Sequence, residues 1–290
     1  MLLWYSREER GVGGRIQSMI QLIGRGLRRV LPPKTYKALI TCWRYRLYWQ
    51  QQVASRFTQQ KPDVDILSPS SSSEFGKALT RINLLAPTPL CLLMHWHGSD
   101  KSLFRHNYTT IYDALLSKWR RRPLRVFELG LGSNSSQFAF NMWAHGIPGA
   151  SLRGWREYFP HASIFGADID HDALFQDDRI RTFYCDQLDP KVIRNMWTEP
   201  DLHEGMDLII DDGLHTFAGN FTFLTESLAH LRPGGFFVVE DITADAVPEW
   251  RNAISVDFAA KFPRHEFILL RLPNRYNCQD NNLLIVHRPS

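Results

Sequence analysis

The chain has 290 residues, 44% of them hydrophobic and 22% charged, with a formal net charge of +4. These are the proportions of an ordinary globular protein with room for one large domain and an extension, and no apolar run approaches the ~20 residues that cross a bilayer. Residues 1–62 hold twelve Lys and Arg against Glu8 and Glu9, a balance of +10 that leaves −6 for the rest, which argues against a body built to hold nucleic acid.

Met1-Leu2-Leu3-Trp4-Tyr5 is apolar but meets Arg7 and Glu8 too early for a secretory segment. Cys42, Cys91, Cys185 and Cys278 are too scattered for a disulfide frame or a zinc site. The expectation is a cytoplasmic protein with reduced thiols. Residues 14–31 carry Ile16, Met19, Ile20, Ile23, Leu27, Val30 and Leu31 at helical spacing, with Arg15, Arg25, Arg28 and Arg29 largely opposite. This predicts a basic amphipathic helix stopped by Pro32-Pro33, and a second helix is predicted over about 34–58. Two readings stand for the extension 1–62: a helical layer against the domain or a second copy of the chain, or peripheral attachment to an anionic membrane surface. Residues 63–74, with the run Ser70–Ser73, read as a linker, and 75–290 as the globular domain.

Within that domain, helices are predicted over Phe75–Leu85, Ile111–Trp119, Leu152–Tyr158, Pro190–Trp197 and Ala218–His230. Short apolar runs alternate with most of them: Leu124–Leu129, Ser163–Ala167, Ile180–Tyr184, Leu208–Ile210 and Phe236–Val239. Alternation of this kind predicts an α/β domain with a doubly wound parallel sheet. Glu266–Leu272 and Asn282–His287 are joined by a polar loop with no room for a helix, so the sheet should end in an antiparallel pair.

Ligands of open α/β sheets sit outside the carboxyl ends of the strands, and this chain places its acids there. One strand runs into Glu128-Leu129-Gly130-Leu131-Gly132, a turn in which two glycines allow close backbone approach. The third glycine of a dinucleotide site is missing, Ser135 standing there, which speaks against a nucleotide-sugar oxidoreductase. Glu128 would repel a pyrophosphate and suits a cationic ligand. The next strand ends in Asp168, placed to accept ribose hydroxyls, and the third in Asp186-Gln187, placed for a purine edge. Two further runs end in Asp211-Asp212-Gly213-Leu214-His215 and in Glu240-Asp241. Carboxylates suit a Mg²⁺-like cation, and a neighbouring His suits a proton acceptor. His95-Trp96-His97 lacks a third ligand nearby and reads as packing or surface.

These segments, with Gly98-Ser99-Asp100-Lys101, His106, Tyr108 and Gly149–Trp155, resemble the metal-dependent sugar O-methyltransferases of macrolide biosynthesis, the mycinamicin methyltransferase type. The resemblance covers residues 96–245 and departs from the family at Leu214, where the family has Ser, and in a longer stretch Ser133–Pro148. It implies a Rossmann-like class I methyltransferase sheet, which the N-terminal helices read from spacing, without a match of their own in the family, would precede. It also implies S-adenosylmethionine and Mg²⁺ as cofactors, and methylation of a hydroxyl on a sugar, a glycosylated metabolite or a surface polysaccharide. By motif, Asp212, Glu240 and Asp241 would hold the metal, and His215 would be the general base beside Asp212. Glu128, Gly130, Gly132, Ser151, Asp168, Asp186, Gln187 and Asp211 would surround the adenosyl cofactor. A catechol-type small-molecule methyltransferase and a non-catalytic membrane or assembly partner are the alternatives. The intact acidic set speaks against the second of these.

Overall fold

The structure, a computed structural model, describes Pro32, Thr35, Leu39, Arg46 and residues 48–67, 74–102, 105–138, 141–142, 146–274, 277 and 279–290. The basic helix expected over 14–31 lies outside these residues; of the second, residues 48–54 are helical. The chain divides into two compact units, Met1–Arg56 and Phe57–Ser290, and the second carries the sheet.

Nine strands form that sheet: β1 Asp63–Ile66, β2 Arg125–Leu129, β3 Ser163–Asp168, β4 Gln176–Asp177, β5 Ile180–Tyr184, β6 Met206–Asp211, β7 Leu231–Val239, β8 Glu266–Arg271 and β9 Asn282–His287. Their order is β1-β8-β9-β7-β6-β2-β3-β5-β4. The pairs β5–β3, β3–β2, β2–β6 and β6–β7 are parallel, whereas β9 runs antiparallel to both β7 and β8. The chain winds outward from β2 in both directions, so the switch point lies between β2 and β6.

The apolar runs form central strands because both faces are covered. Along β2, Val126 belongs to one core and Phe127 and Leu129 to the other; along β9, Leu283 and Ile285 alternate with Leu284 and Val286 in the same way. The helices α1 Glu74–Leu79, α2 Pro89–His97, α3 Tyr108–Leu116 and α4 Ala150–Tyr158 contribute Leu79, Met94, Tyr112 and Trp155 to the first core. The opposite core receives Ile193 from α5 Pro190–Met196, Phe223 from α6 Phe217–Ser227 and Trp250 from α7 Val247–Ala253.

Several elements differ from the sequence expectation. Residues 63–66, in the segment read as a linker, are the edge strand β1, paired antiparallel to β8. Its outward acids meet arginines, Asp63 pairing with Arg271 and Asp65 with Arg251 at 2.7 Å, which charges an otherwise open edge. The helix expected over Phe75–Leu85 stops at Leu79; beyond it, Asn83 accepts the backbone N–H groups of Gln60 and Leu85 and holds a turn. β7 begins at Leu231, five residues before the predicted run, because a register shift against β6 lets Pro233 and Gly234 enter the strand. Helices α2 and α7 were not expected. Thr88, Pro89 and Gly98 bound α2: the Thr88 hydroxyl accepts from Cys91 N, and Gly98 closes the helix at φ 94°.

Candidate functional site

The carboxyl ends of β7, β6, β2 and β3 lie side by side, and almost every acid singled out in the sequence sits on that rim. The first turn is bound tightly to its neighbours. Asp212 N donates to Leu129 O at 2.9 Å, and a side chain at Gly130, whose φ is 92°, would strike Asp212 O at 2.0 Å. Gly132, at φ 82°, is pressed against Met142 in the same way. Gly130 brings the backbone turn against the Asp212 loop, and Gly132 lets it pass Met142.

Glu128 is fully buried and turned into the protein. Its Oε1 accepts from Ser151 Oγ at 2.5 Å and its Oε2 from Trp155 Nε1 at 2.6 Å, and Lys101 Nζ stands 3.5 Å away. Both oxygens therefore have donors within the chain. Asp168 is likewise engaged: Oδ2 accepts Leu131 N–H at 2.7 Å and Oδ1 accepts Asp170 N–H at 2.9 Å, so it pins the glycine turn to the end of β3. Burial raises its pKa against those hydrogen bonds. Gln187 braces a different pair of loops. Its Nε2 donates to both oxygens of Asp211, at 2.8 and 2.9 Å, and its Oε1 accepts Leu214 N–H at 2.7 Å. Asp211 has no exposed surface, and burial pushes its pKa up to about 7. Asp186 is half-buried and accepts Leu188 N–H at 2.9 Å.

Asp212, His215 and Asp241 converge: one ligand atom from each lies within 4.8 Å of the others. His215 Nε2 is 3.3 Å from Asp212 Oδ1 and 3.3 Å from Asp241 Oδ2. Burial opposes the imidazolium, but the hydrogen bond to Asp212 and the charges of Asp241 and Asp212 outweigh it and raise the His215 pKa to about 10. His215 and Asp241 have φ of 54° and 53°. Two adjoining loops thus hold non-glycine residues in the left-handed region, an arrangement that only surrounding structure can impose. Asp241 Oδ1 is 2.6 Å from the Tyr108 hydroxyl and 3.4 Å from His106 Nδ1.

Glu240, expected beside Asp212 and Asp241 as a third ligand, is not in the group whose ligand atoms lie within 4.8 Å of one another, and shares the Lys101 ammonium with Asp212. It is buried, accepting from Tyr112 Oη at 2.6 Å and from Lys101 Nζ. Lys101 also donates to Asp212 Oδ2 at 2.5 Å, so one ammonium with 2% exposure joins three strand ends. Burial disfavours its charge, yet Asp212, Glu128 and Glu240 hold its pKa well above the ordinary lysine value. Neither Lys101 nor Tyr108 has a role that the sequence alone assigns; the signals for them are the Gly98–Lys101 segment and the inward face of α3.

The donor chemistry of the cluster fits a hard divalent cation. Asp212 Oδ1 and Asp241 Oδ2 both lie beside His215 and offer hard oxygens, while Lys101 offsets the charge of Glu128 and Glu240 and bonds the other oxygen of Asp212. Among the described residues, His106, Asp241 and Asp280 form a second convergent group, which shares Asp241.

No protein-family model matches the chain. In solved structures it is similar to the MycE methyltransferase of the mycinamycin biosynthetic pathway, in complex with Mg, SAH and Mycinamycin VI: the TM-score is 0.55 at 23% identity, over 76% of this chain and 61% of that one. The chain has the class I methyltransferase fold. Among curated proteins, this methyltransferase-fold chain is similar to 8-demethyl-8-alpha-L-rhamnosyl tetracenomycin-C 2'-O-methyltransferase of Streptomyces olivaceus, 33% identical over 161 residues, 56% of this chain and 39% of that protein. L-olivosyl-oleandolide 3-O-methyltransferase of Streptomyces antibioticus is 36% identical over 154 residues, 53% of this chain and 37% of that protein. Mycinamicin VI 2''-O-methyltransferase of Micromonospora griseorubida is 33% identical over 139 residues, 48% of this chain and 32% of that protein. The chain thus spans about two fifths of the length of such relatives. These are sugar O-methyltransferases, the family that the motifs resemble.

Proposed function

We propose that the chain transfers a methyl group from S-adenosylmethionine to a hydroxyl of a sugar or glycosylated metabolite, assisted by Mg²⁺. The observation that carries this reading is the meeting of Asp212, His215 and Asp241 at the sheet's switch point, directly against the Gly130 turn. Relatives whose names describe sugar O-methylation support it. The adenosyl cofactor, a sulfonium, would supply the methyl group to the turn over Gly130 and Gly132, near Asp168, Asp186 and Gln187; here Asp168 and Gln187 act by holding the loops in shape. Glu128, Ser151 and Asp211 serve from behind the pocket, where each is paired within the chain. Mg²⁺ bound to Asp212 and Asp241 would lower the pKa of a bound hydroxyl. Glu240 supports Asp212 from behind through Lys101.

His215 is the residue placed to take the hydroxyl proton, because it borders both the carboxylates and an adjoining cleft. Its proton affinity is set by what those two carboxylates hold. With their charge committed to a cation, the interactions that keep the imidazole protonated weaken, and Nε2 becomes available as an acceptor.

Titration calorimetry tests the reading. S-adenosylmethionine or its demethylated product should bind, and NAD should not; tight binding of NAD alone would overturn the assignment. Asp168→Ala should weaken adenosyl binding, because the glycine turn loses the carboxylate that fixes Leu131 and Asp170 N–H, hydrogen bonds to a charged group being worth about 1.5–3 kcal/mol. It should also lower the melting temperature, since the variant frees Leu131 and Asp170 N–H groups that Asp168 now satisfies. Among the described residues no helix is long and apolar enough to cross a membrane. The basic balance of residues 1–62 supports peripheral contact with anionic lipid or assembly with a second copy. The first would make the chain sediment with anionic vesicles and release as salt rises; the second would make truncation of this segment change the oligomer mass.

A further inference from the structure

Tyr108 and Tyr112 lie one turn apart on α3, so their side chains leave the same face of the helix. Their hydroxyls reach consecutive acids at the end of β7. Tyr112 Oη donates to Glu240 Oε1 at 2.6 Å, and Tyr108 Oη donates to Asp241 Oδ1 at 2.6 Å. The Tyr108 oxygen also accepts the Asp241 backbone N–H at 3.2 Å, so one hydroxyl holds both the side chain and the main chain of the same residue. Asp241 sits at φ 53°, a left-handed conformation that a non-glycine residue keeps only where its surroundings impose it. His106, whose ring packs on that of Tyr108 with centroids 4.6 Å apart, brings Nδ1 to 3.4 Å from the same Oδ1. Oδ1 is thereby engaged within the protein, and Oδ2 lies 3.3 Å from His215. Asp212 is divided in the same way: Lys101 Nζ donates to Oδ2 at 2.5 Å, and Oδ1 lies 3.3 Å from His215. Each carboxylate of the cation cluster thus presents one oxygen and has the other committed to a buried donor.

We propose that Tyr108 is a positioning residue that holds Asp241 to one-oxygen ligation and thereby sets the cluster's preference for Mg²⁺ over Ca²⁺. This rests on the cation of the methyltransferase reading and adds what selects it. Mg²⁺ demands near-ideal octahedral geometry and keeps several of its waters, whereas Ca²⁺ takes about six to eight oxygens and accepts both oxygens of one carboxylate. Two carboxylates that each offer a single fixed oxygen meet the first demand and not the second. Charge cannot make this choice, because both ions carry the same charge. Lys101 divides Asp212, but it also supports Glu128 and Glu240, so its removal disturbs three strand ends at once. The Tyr108 hydroxyl meets Asp241 and, at 3.0 Å, the Asp280 carbonyl. Of these two acceptors the ionised carboxylate is the stronger, so loss of the hydroxyl acts chiefly on one ligand.

The test is calorimetric titration of Mg²⁺ and of Ca²⁺ into the S-adenosylhomocysteine-loaded protein, comparing the parent with Tyr108→Phe and Tyr158→Phe. Tyr158 is the control. It is a buried tyrosine whose hydroxyl donates to Asp113 Oδ1 at 2.7 Å, so its variant loses the same kind of bond without touching Asp212 or Asp241. The parent should bind Mg²⁺ more tightly than Ca²⁺. Tyr108→Phe should bind S-adenosylhomocysteine as before and Mg²⁺ about 10–100-fold more weakly, the usual cost of removing a hydrogen bond that orients a metal ligand. Its affinity for Ca²⁺ should fall by less, because the released Oδ1 becomes available to the larger ion. Tyr158→Phe should melt below the parent and keep the parent's affinity for both ions. A parent that prefers Ca²⁺ would overturn the proposal whatever the variants do. So would an unchanged ratio of Mg²⁺ to Ca²⁺ affinity in Tyr108→Phe, or an equal change of that ratio in Tyr158→Phe, which would mark the effect as general loosening of the fold. A parent that binds S-adenosylhomocysteine and neither ion would instead refute the cation in the methyltransferase reading beneath it.

Discussion

Chelation with EDTA is expected to abolish methyl transfer while leaving S-adenosylhomocysteine binding largely intact. The two functions separate because they rest on different strand ends. The glycine turn, Asp168 and the Asp186 loop belong to β2, β3 and β5, whereas Asp212 and Asp241 follow β6 and β7. Asp241 carries a raised pKa from burial and from the Asp212 charge, opposed by His215, so the cluster holds its negative charge most favourably with a cation in place. Asp212→Asn and Asp241→Asn should each reproduce the loss seen with EDTA, and Mg²⁺ should restore only the parent. His215→Ala should keep cation binding, read by calorimetry, and lose the proton-transfer contribution, about 10²–10⁴-fold in rate. Full activity in EDTA would remove the metal from the mechanism.

The rim of acids was legible in the sequence because each strand announces itself twice. A β-branched run such as Leu208-Ile209-Ile210 requires burial on both faces, and the abrupt change to Asp211-Asp212 marks where the strand leaves the core. Position along the rim follows from the topology alone. What each carboxylate faces was not legible, because that depends on partners far away in sequence. Glu128 meets Ser151 and Trp155 on α4, whose inward face is set by helix rotation, and Glu240 meets Lys101 from the loop after α2. A motif gives Glu240 and Asp241 as neighbours but not their partners: Glu240 meets Lys101 and Tyr112, whereas Asp241, held at φ 53°, lies beside His215 and Tyr108. The edge strand β1 escaped for a related reason: four residues with two acids lack the apolar weight of a central strand and are stabilised by pairing to β8 and by Arg251 and Arg271.

Lys101→Met should be the most destabilising single substitution around the site. The lysine ammonium is buried against Glu128, Asp212 and Glu240, of which the first and third have 0% and 1% exposure. Removing one partner of a buried ionic cluster costs about 3–5 kcal/mol, because the remaining charges keep their desolvation penalty without compensation. At about 2–4 °C per kcal/mol for a domain of this size, the melting temperature should fall by roughly 6–20 °C. The pH dependence has a definite sign. Burial already raises the pKa values of Glu128 and Glu240, and Lys101 is the chief influence opposing the rise. Without it both carboxyls move further up, so the folded variant takes up protons more readily than the unfolded chain. Its deficit relative to the parent should therefore be full above neutral pH and shrink as pH falls towards 5. The double variant Lys101→Met/Glu240→Gln should recover part of the loss, since it removes the charge that the first substitution strands. If Lys101→Met melts within 2 °C of the parent, the ammonium is not what holds these three strand ends together, and Tyr112, Ser151 and Trp155 must satisfy the carboxylates without it.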